Sequence, residues 1–279
     1  MMRNVLFIFT LVLFSFSAFS QEYSFSVEKH GEGKQILIFI PGFASSGKVW
    51  DETVQVLKED YTCLILTMPG FAGVKPEENP SFEKWKSEIE RFIREKNLMK
   101  PIVIGHSMGG VLAMAIASDY PDLLSKIVVV DALPCLAALS DPSFVSKENK
   151  DCSSMVSQIE AMKDEEFFQM QQVSVASMTT RKDKIDEIVD WGMNSDRKTF
   201  AKVFCDFINI DLRDRINSIT IPTLVLLEPL FKNIQDSIVS QYKGLPHVEL
   251  MYADKGLHFL MYDDSDWYLE NLNEFIILE

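Results

Sequence analysis

The feature that most constrains the fold is an alternation, from Gln35 onward, between short apolar runs and longer amphipathic stretches. The runs are rich in β-branched residues and leucine and lack the two-residue alternation of a half-exposed strand; they are 36–40, 63–67, 102–105, 127–130 and 223–227. Such runs are typical of central strands in a parallel sheet that is covered on both faces. Between them, stretches such as 82–95 carry apolar residues at helical spacing. The sequence therefore predicts an α/β fold with a doubly wound, mostly parallel sheet.

The alternation stops after Asp131. From Pro134 to Ile219 there are helical patterns and polar turns before the next apolar run. We therefore expect an inserted helical lid at 134–219, between core segments at 21–133 and 220–279. Methionine and aromatic residues are frequent in this segment: Met155, Met162, Met170, Met178, Met193, Phe167, Phe168 and Trp191. They could line an adaptable apolar pocket or form the core of the lid itself, and the pattern leaves both open.

Residues 1–20 are typical of a secretory signal peptide. Arg3 precedes an apolar run at 5–19, and small residues surround a cleavage position before Gln21. The run of 15 residues is shorter than the roughly 18 expected for a membrane span. We expect cleavage after Ser20 and a secreted or periplasmic protein of 259 residues, with no integral membrane span.

The charge balance limits the partners of the chain. After loss of the signal segment, 26 basic and 41 acidic side chains would remain, which gives a net charge of −15. Nucleic acid and anionic membrane surfaces are therefore unfavourable partners.

The four cysteines match no zinc-ligand spacing and are too sparse for a disulfide scaffold. Cys63 lies within an apolar run and is expected to be a buried thiol. Cys135 and Cys152 flank a polar connection and could be bridged, although their spacing alone does not fix the distance between them.

A candidate nucleophile stands in the segment Gly105-His106-Ser107-Met108-Gly109, which follows a predicted strand and opens a helix rich in alanine and glycine. A serine on such a strained turn leaves no room for side chains two positions away, and the helix N-terminus stabilises developing negative charge. Ser107 is therefore the predicted nucleophile. His106 is next to it on the turn, points elsewhere, and is interpreted as structural.

With this motif the chain resembles the α/β-hydrolase family, from about Gln35 to the C-terminus. The resemblance implies an oxyanion hole formed by the backbone N–H groups of Phe43, in the segment "IPGFASS", and Met108. Pro41 replaces a histidine that is often found at this place in the family. The loop 67–73 resembles the family loop after the next strand, but begins with Thr67 instead of aspartate, and is interpreted as shaping the entrance.

The family order of serine, acid and histidine implies a general base near the C-terminus. His258 follows the last apolar strand and precedes a terminal helix at 266–275. Of the other three histidines, His30 precedes the core, His106 is excluded by geometry, and His247 stands before the strand. His258 is therefore predicted to take the Ser107 proton and return it to the leaving group.

The third member of the triad departs from the commonest pattern. After the run 223–227 comes Glu228, and no aspartate follows until Asp236. A second placement, used by haloalkane dehalogenases and some lipases, is the end of the strand after the nucleophile helix, where Asp131 stands 24 residues beyond Ser107. The resemblance favours Asp131, with Glu228 and Asp236 as alternatives, to hold the imidazole tautomer and stabilise the imidazolium.

The resemblance implies a carboxylesterase-like serine hydrolase that cleaves an ester of a small to medium apolar substrate through an acyl-enzyme, with no metal or organic cofactor. Two alternatives remain open: a non-catalytic binding protein of the same fold, and a cofactor-free perhydrolase or haloperoxidase. The natural substrate and the oligomeric state are not predicted.

Overall fold

The strands form one sheet in the computed structural model, which describes residues 23–277; the predicted signal peptide lies outside the described residues. The strands are β1 (Ser26–His30), β2 (Ile36–Ile40), β3 (Thr62–Thr67), β4 (Ile102–His106), β5 (Lys126–Val130), β6 (Thr223–Leu227) and β7 (Val248–Tyr252). Their spatial order is β1-β3-β2-β4-β5-β6-β7. Only β1 pairs antiparallel among these described strands, against β3. This topology confirms the predicted doubly wound, mostly parallel sheet.

Helices connect the strands and cover the sheet. In chain order they are α1 (Asp51–Leu57), α2 (Phe82–Glu95), α3 (Met108–Asp119), α4 (Ser153–Ala161), α5 (Asp164–Ala176), α6 (Lys182–Met193), α7 (Arg197–Phe207), α8 (Gln235–Tyr242), α9 (Leu260–Asp263) and α10 (Ser265–Ile277). Short 3₁₀ helices occur at Gly47–Trp50, Leu136–Leu139, Arg215–Ser218 and Pro229–Ile234. Within residues 23–277, none of the helices combines the length and apolar character needed to cross a membrane.

The continuous apolar runs follow from burial of both faces of the sheet. In β2, Ile38 and Ile40 belong to a core shared with α2, α3 and α8, whereas Leu37 and Phe39 belong to a second core with α1 and α10. All four side chains are fully buried. Because successive side chains of a strand point to opposite faces, a strand covered on both sides needs an apolar residue at every position.

The edge strand β1 lacks this signal, and sequence analysis did not predict it. Its sequence, SVEKH, is half-buried at its ends and exposed in its centre. An edge strand with a solvated face tolerates charged residues, so hydrophobic periodicity does not identify it.

The chain between β5 and β6, residues 131–222, is called the helical insertion below. It contains α4 to α7 and, over these described residues, no strand. α4 packs against α7, and α5 packs against α6.

A disulfide joins Cys152, just before α4, to Cys205 on α7. The bridge considered between Cys135 and Cys152 is therefore not formed: Cys135 is a free, buried thiol whose backbone N–H donates to Gln241 on α8, while Cys152 is bonded to Cys205 on α7. The partner of Cys152 is 53 positions away, and only helix packing brings the two together. Cys63 is buried in β3 as predicted, and burial raises the pKa of its thiol to about 11.

Candidate active site

Ser107 lies at the sharp turn between β4 and α3. Its φ angle is +53°, in the left-handed region that a residue with a side chain seldom adopts. The surrounding backbone holds this conformation: the Ser107 N–H donates to the Val130 carbonyl at 2.8 Å, and the Ser107 carbonyl accepts from the N–H of Gly110 at 2.9 Å. Residues with such strained backbone angles persist only where the surrounding structure holds them, and they are found mostly at functional sites.

The two glycines around this turn are required by close approach. A Cβ atom on Gly105 would lie 2.2 Å from the Gly109 carbonyl oxygen, and one on Gly109 would lie 2.2 Å from the Ile40 carbonyl oxygen. In both cases the nearest atom is a backbone oxygen, which cannot move away as a flexible side chain could. The spacing of the motif therefore reflects the packing of β4 and α3 against the end of β2.

His258 lies in the loop between β7 and α9, and its Nδ1 is 2.6 Å from Oδ2 of Asp131. Asp131 follows β5 directly, and only 1% of its side chain is exposed, against 24% for His258. The other carboxylate oxygen of Asp131 accepts a 2.7 Å hydrogen bond from the backbone N–H of Glu228. With both oxygens engaged, the carboxylate is fixed in orientation and presents one oxygen to the imidazole.

The two alternative acids occupy different places. Asp236 lies on α8 and borders a separate surface groove with Arg213 and Asp214. The Glu228 side chain lines the same cavity as Ser107 and His258, but its contact with Asp131 is through the backbone. Of the three candidates, Asp131 is the acid whose carboxylate contacts the His258 ring.

His106 is 1% exposed and contributes to the frame of the site. Its Nε2 lies 3.0 Å from the carbonyl oxygen of His258, and the two rings are 4.6 Å apart between centroids. Burial lowers the pKa of His106 well below its ordinary value, so the ring is neutral and Nε2–H donates to that carbonyl. This contact fixes the backbone of the loop that carries His258.

The predicted oxyanion donors belong to the loop after β2 and to the start of α3. Met108 is the first residue of α3, where a backbone N–H has no carbonyl partner within the helix. Phe43 follows Gly42, which packs so closely that a Cβ there would lie 3.2 Å from Cβ of Ser107. The loop after β2 and the start of α3 thus meet at the serine.

These residues open into a cavity of about 660 Å³ between the sheet and the helical insertion. The residues that line it include Ser107, His258, Asp131, Glu228, Gly42 and Phe43. The remaining wall is mostly apolar and includes Leu133, Met155, Ile159, Met162, Met170, Met178, Phe200, Phe204, Phe207, Leu230 and Phe231.

The cavity divides the methionine and aromatic residues noted in the sequence. Met155, Met162, Met170 and Met178 line it. Phe167 and Trp191 are buried in the two cores instead, and Phe168 and Met193 pack against those cores. The pocket interpretation therefore applies to the four methionines, whereas the other residues pack in cores that the insertion shares with the sheet.

The loop 67–73 supports the insertion, and its residues are absent from the cavity wall. Gly70 accepts from the N–H of Asp196 at 2.8 Å, and the N–H of Ala72 donates to the Ser195 hydroxyl at 3.1 Å. The loop thus joins the end of β3 to the start of α7.

Sequence reasoning missed Asp263. Its carboxylate accepts from the N–H of Leu257 at 2.8 Å, next to His258, and from the Thr179 hydroxyl at 2.6 Å. It also accepts from the N–H of Thr180. The Asp263 carboxylate therefore connects the His258 loop to the insertion. No local sequence pattern predicts this role for an aspartate on a four-residue helix.

Known proteins resemble this chain in sequence and in fold. A family profile described as alpha/beta hydrolase fold matches residues 35–153. A pimeloyl-[acyl-carrier protein] methyl ester esterase from Vibrio cholerae is 25% identical over 252 residues, which cover 88% of this chain and 95% of that protein. The enzyme of the same name from Wigglesworthia glossinidia brevipalpis is 24% identical over 229 residues, which cover 77% of this chain and 86% of that protein. The structure of a hydrolase from Pseudomonas aeruginosa superimposes with a TM-score of 0.77 at 13% identity, over 92% of this chain and 95% of that one.

The sheet topology and the turn at Ser107 define an α/β-hydrolase fold. In sequence, the chain is similar to proteins that are named as esterases.

Proposed function

We propose that the protein is a serine carboxylesterase that cleaves an ester of a small to medium apolar substrate through an acyl-enzyme on Ser107. The observation that carries this proposal is the convergence of Ser107, His258 and the buried Asp131 in the wall of one largely apolar cavity. A nucleophile, a base and an acid that orients the base are the three groups that acyl transfer to serine requires.

The proposed reaction proceeds in two balanced steps. Ser107 Oγ attacks the ester carbonyl while His258 takes its proton, and the same histidine then protonates the departing alkoxide, which leaves as the alcohol. A water molecule, deprotonated by His258, attacks the acyl-enzyme, and the acid is released as Ser107 recovers its proton. Asp131 keeps the His258 Nδ1 protonated and stabilises the imidazolium in both steps.

The backbone N–H groups of Phe43 and Met108 stabilise the oxyanion that forms when Ser107 attacks. The α3 N-terminus adds a positive end of a helix dipole at the same position. Donors that are fixed before the reaction need no reorganisation as the charge develops.

The size and chemistry of the cavity support a substrate with an apolar acyl or alkyl part. A volume of about 660 Å³ lies within the roughly 300–1,000 Å³ of small-molecule sites. Methionine side chains repack easily, so a wall with four of them suits chains of different length. The relatives named as methyl ester esterases act on a carboxylic ester of a small alcohol, which supports the same bond type here.

We also propose that the protein is exported and that the helical insertion acts as a lid over the cavity. The disulfide between Cys152 and Cys205 supports export, because disulfides persist in oxidising compartments. Mass spectrometry of the protein from its native host tests the export proposal: a mature N-terminus at Gln21 is expected, and an intact Met1 would contradict it.

The function is tested with an organophosphonate probe and a series of 4-nitrophenyl esters of increasing acyl length. We expect the probe to label Ser107, and Ser107→Ala to lose labelling and at least about 10⁴ of the turnover while it keeps the wild-type circular dichroism spectrum. An exposed serine outside the cavity, changed in Ser87→Ala, is the matched control and should have no effect. A Ser107→Ala variant with a tenth of wild-type turnover would show that the nucleophile is another residue.

A further inference from the structure

Glu228 is a charged residue of the cavity that the proposed reaction does not use. It follows β6 directly, and its backbone N–H is committed to Asp131, while its side chain lines the cavity with Ser107 and His258. Within residues 23–277 its carboxylate has no hydrogen bond or ion pair. Lys232, one turn further along the chain, is paired with Asp254 at 2.6 Å and does not neutralise it.

The rest of the cavity wall offers no positive charge that could compensate Glu228. Among the described residues that line it, the ionisable ones are two histidines and two acids: His106, His258, Asp131 and Glu228. No lysine or arginine of the described chain lines it. His106 is neutral because it is buried, and Asp131 is occupied by His258 and the Glu228 N–H.

The electrostatic surroundings of Glu228 oppose a further negative charge. Burial, followed by the negative charges of Asp131 and Asp263, raises the pKa of Glu228 to about 7, and His258 acts in the opposite direction. Near neutral pH the carboxyl group therefore titrates, and above it the cavity holds an unpaired anion in largely apolar surroundings. An anionic substrate group would meet this charge without a counter-ion.

We infer that Glu228 is a specificity-determining residue that makes the cavity select uncharged esters and reject esters that carry a second, anionic group. The inference rests on the proposed esterase function and names its substrate class: an ester whose remaining part is neutral. Two like charges in a site of low polarity repel strongly enough to alter kcat/KM by an order of magnitude or more.

The test compares two substrates of equal chain length, dimethyl suberate and its half ester monomethyl suberate, by release of methanol. At pH 8.5 we expect wild-type kcat/KM for the diester, after correction for its two ester groups, to exceed that for the half ester by more than tenfold. In Glu228→Gln this ratio should fall roughly tenfold, because the variant removes the charge and keeps the shape. Glu249→Gln, an exposed acid on the neighbouring strand β7, is the matched control and should keep the wild-type ratio.

The pH dependence of the ratio in the wild type provides a second test that needs no variant. Between pH 8.5 and 6, Glu228 gains a proton while the half ester stays ionised, so the wild-type ratio should decrease through about pH 7. The ratio of Glu228→Gln should not change over this range.

The outcomes separate the two proposals. Suppose that the wild type cleaves the diester, but that the diester-to-half-ester ratio of kcat/KM is equal in wild type and Glu228→Gln and does not change with pH. The inference about Glu228 is then wrong and the esterase function stands. An equal drop of the ratio in Glu249→Gln would also overturn it. If the wild type cleaves neither ester and the 4-nitrophenyl series fails as well, the proposed function itself is wrong.

Discussion

Asp131 Oδ2 lies 2.6 Å from Nδ1 of His258, although 127 positions separate the two residues in the chain. The parallel strands β5 and β6 and the loop after β7 bring them to one edge of the sheet. The carboxyl ends of parallel strands meet there, which is the usual place for ligands and catalytic groups in open α/β sheets.

The role of this contact is tested with Asp131→Asn. The Glu228 N–H requires an acceptor, so the asparagine would turn its carbonyl oxygen there and its NH₂ toward His258, which favours the wrong imidazole tautomer. We expect kcat on 4-nitrophenyl butyrate to fall by roughly 10⁴. Asp236→Asn, on α8 and outside the cavity, should stay close to wild type. The reverse result, measured with both variants folded by near-UV circular dichroism, would place the acid on the later segment.

The wall formed by the helical insertion should set acyl-chain preference. Met170 on α5 lines the cavity, and tryptophan there would occupy space that a long chain needs. We expect Met170→Trp to lower kcat/KM for a 4-nitrophenyl octanoate by roughly tenfold relative to the acetate. Val173→Trp, on the same helix but with Val173 72% exposed, is the control and should leave the ratio unchanged. Equal losses on acetate and octanoate in Met170→Trp would mean that α5 supports the catalytic frame and does not define the chain pocket.

The Cys152–Cys205 disulfide should contribute substantially to stability. It closes a long loop and joins α7 to the segment that begins α4. We expect the double variant Cys152→Ser, Cys205→Ser to lose about 2–4 kcal/mol of unfolding free energy in urea denaturation. Wild type treated with reductant should unfold like the double variant, whose own transition should not respond to reductant. A wild-type midpoint that is insensitive to reductant would indicate that the bridge is absent in solution.

The burial of Glu228 also predicts a pH-dependent cost in stability. Its pKa is about 7 in the folded protein and 4.5 as the ordinary value, so folding retains a proton that the unfolded chain releases between these values. The contribution of Glu228 to the free energy of unfolding is therefore fully present below pH 4.5 and is lost as the pH rises through about 7.

Glu228→Gln, which cannot ionise, should therefore become more stable than wild type between pH 4.5 and 7, by about 1–3 kcal/mol once partial solvent screening is included. Urea denaturation of both proteins at pH 4.5 and 8.5 measures this difference. An identical difference at the two pH values would show that Glu228 is not perturbed.

The local part of the site could be predicted from sequence because its signals are local. The apolar runs identified the central strands, since a strand buried on both faces must be apolar at every position. The glycines at 105 and 109 marked the turn at Ser107, since backbone lies within 2.2 Å of where their Cβ atoms would be. Helix α2 was also predicted at its observed bounds, because its apolar face repeats at helical spacing.

Other features were decided only by the tertiary structure. Local patterns record burial and backbone conformation, but not which distant segments meet. The choice of Asp131 over Asp236 as the carboxylate that touches His258 depends on the alignment of strand ends. The Cys152 partner depends on the packing of α4 on α7, and the link through Asp263 on a contact between a short helix and the insertion. These are long-range contacts whose loop-closure entropy is offset by the packing of the whole domain, so no short stretch of sequence encodes them.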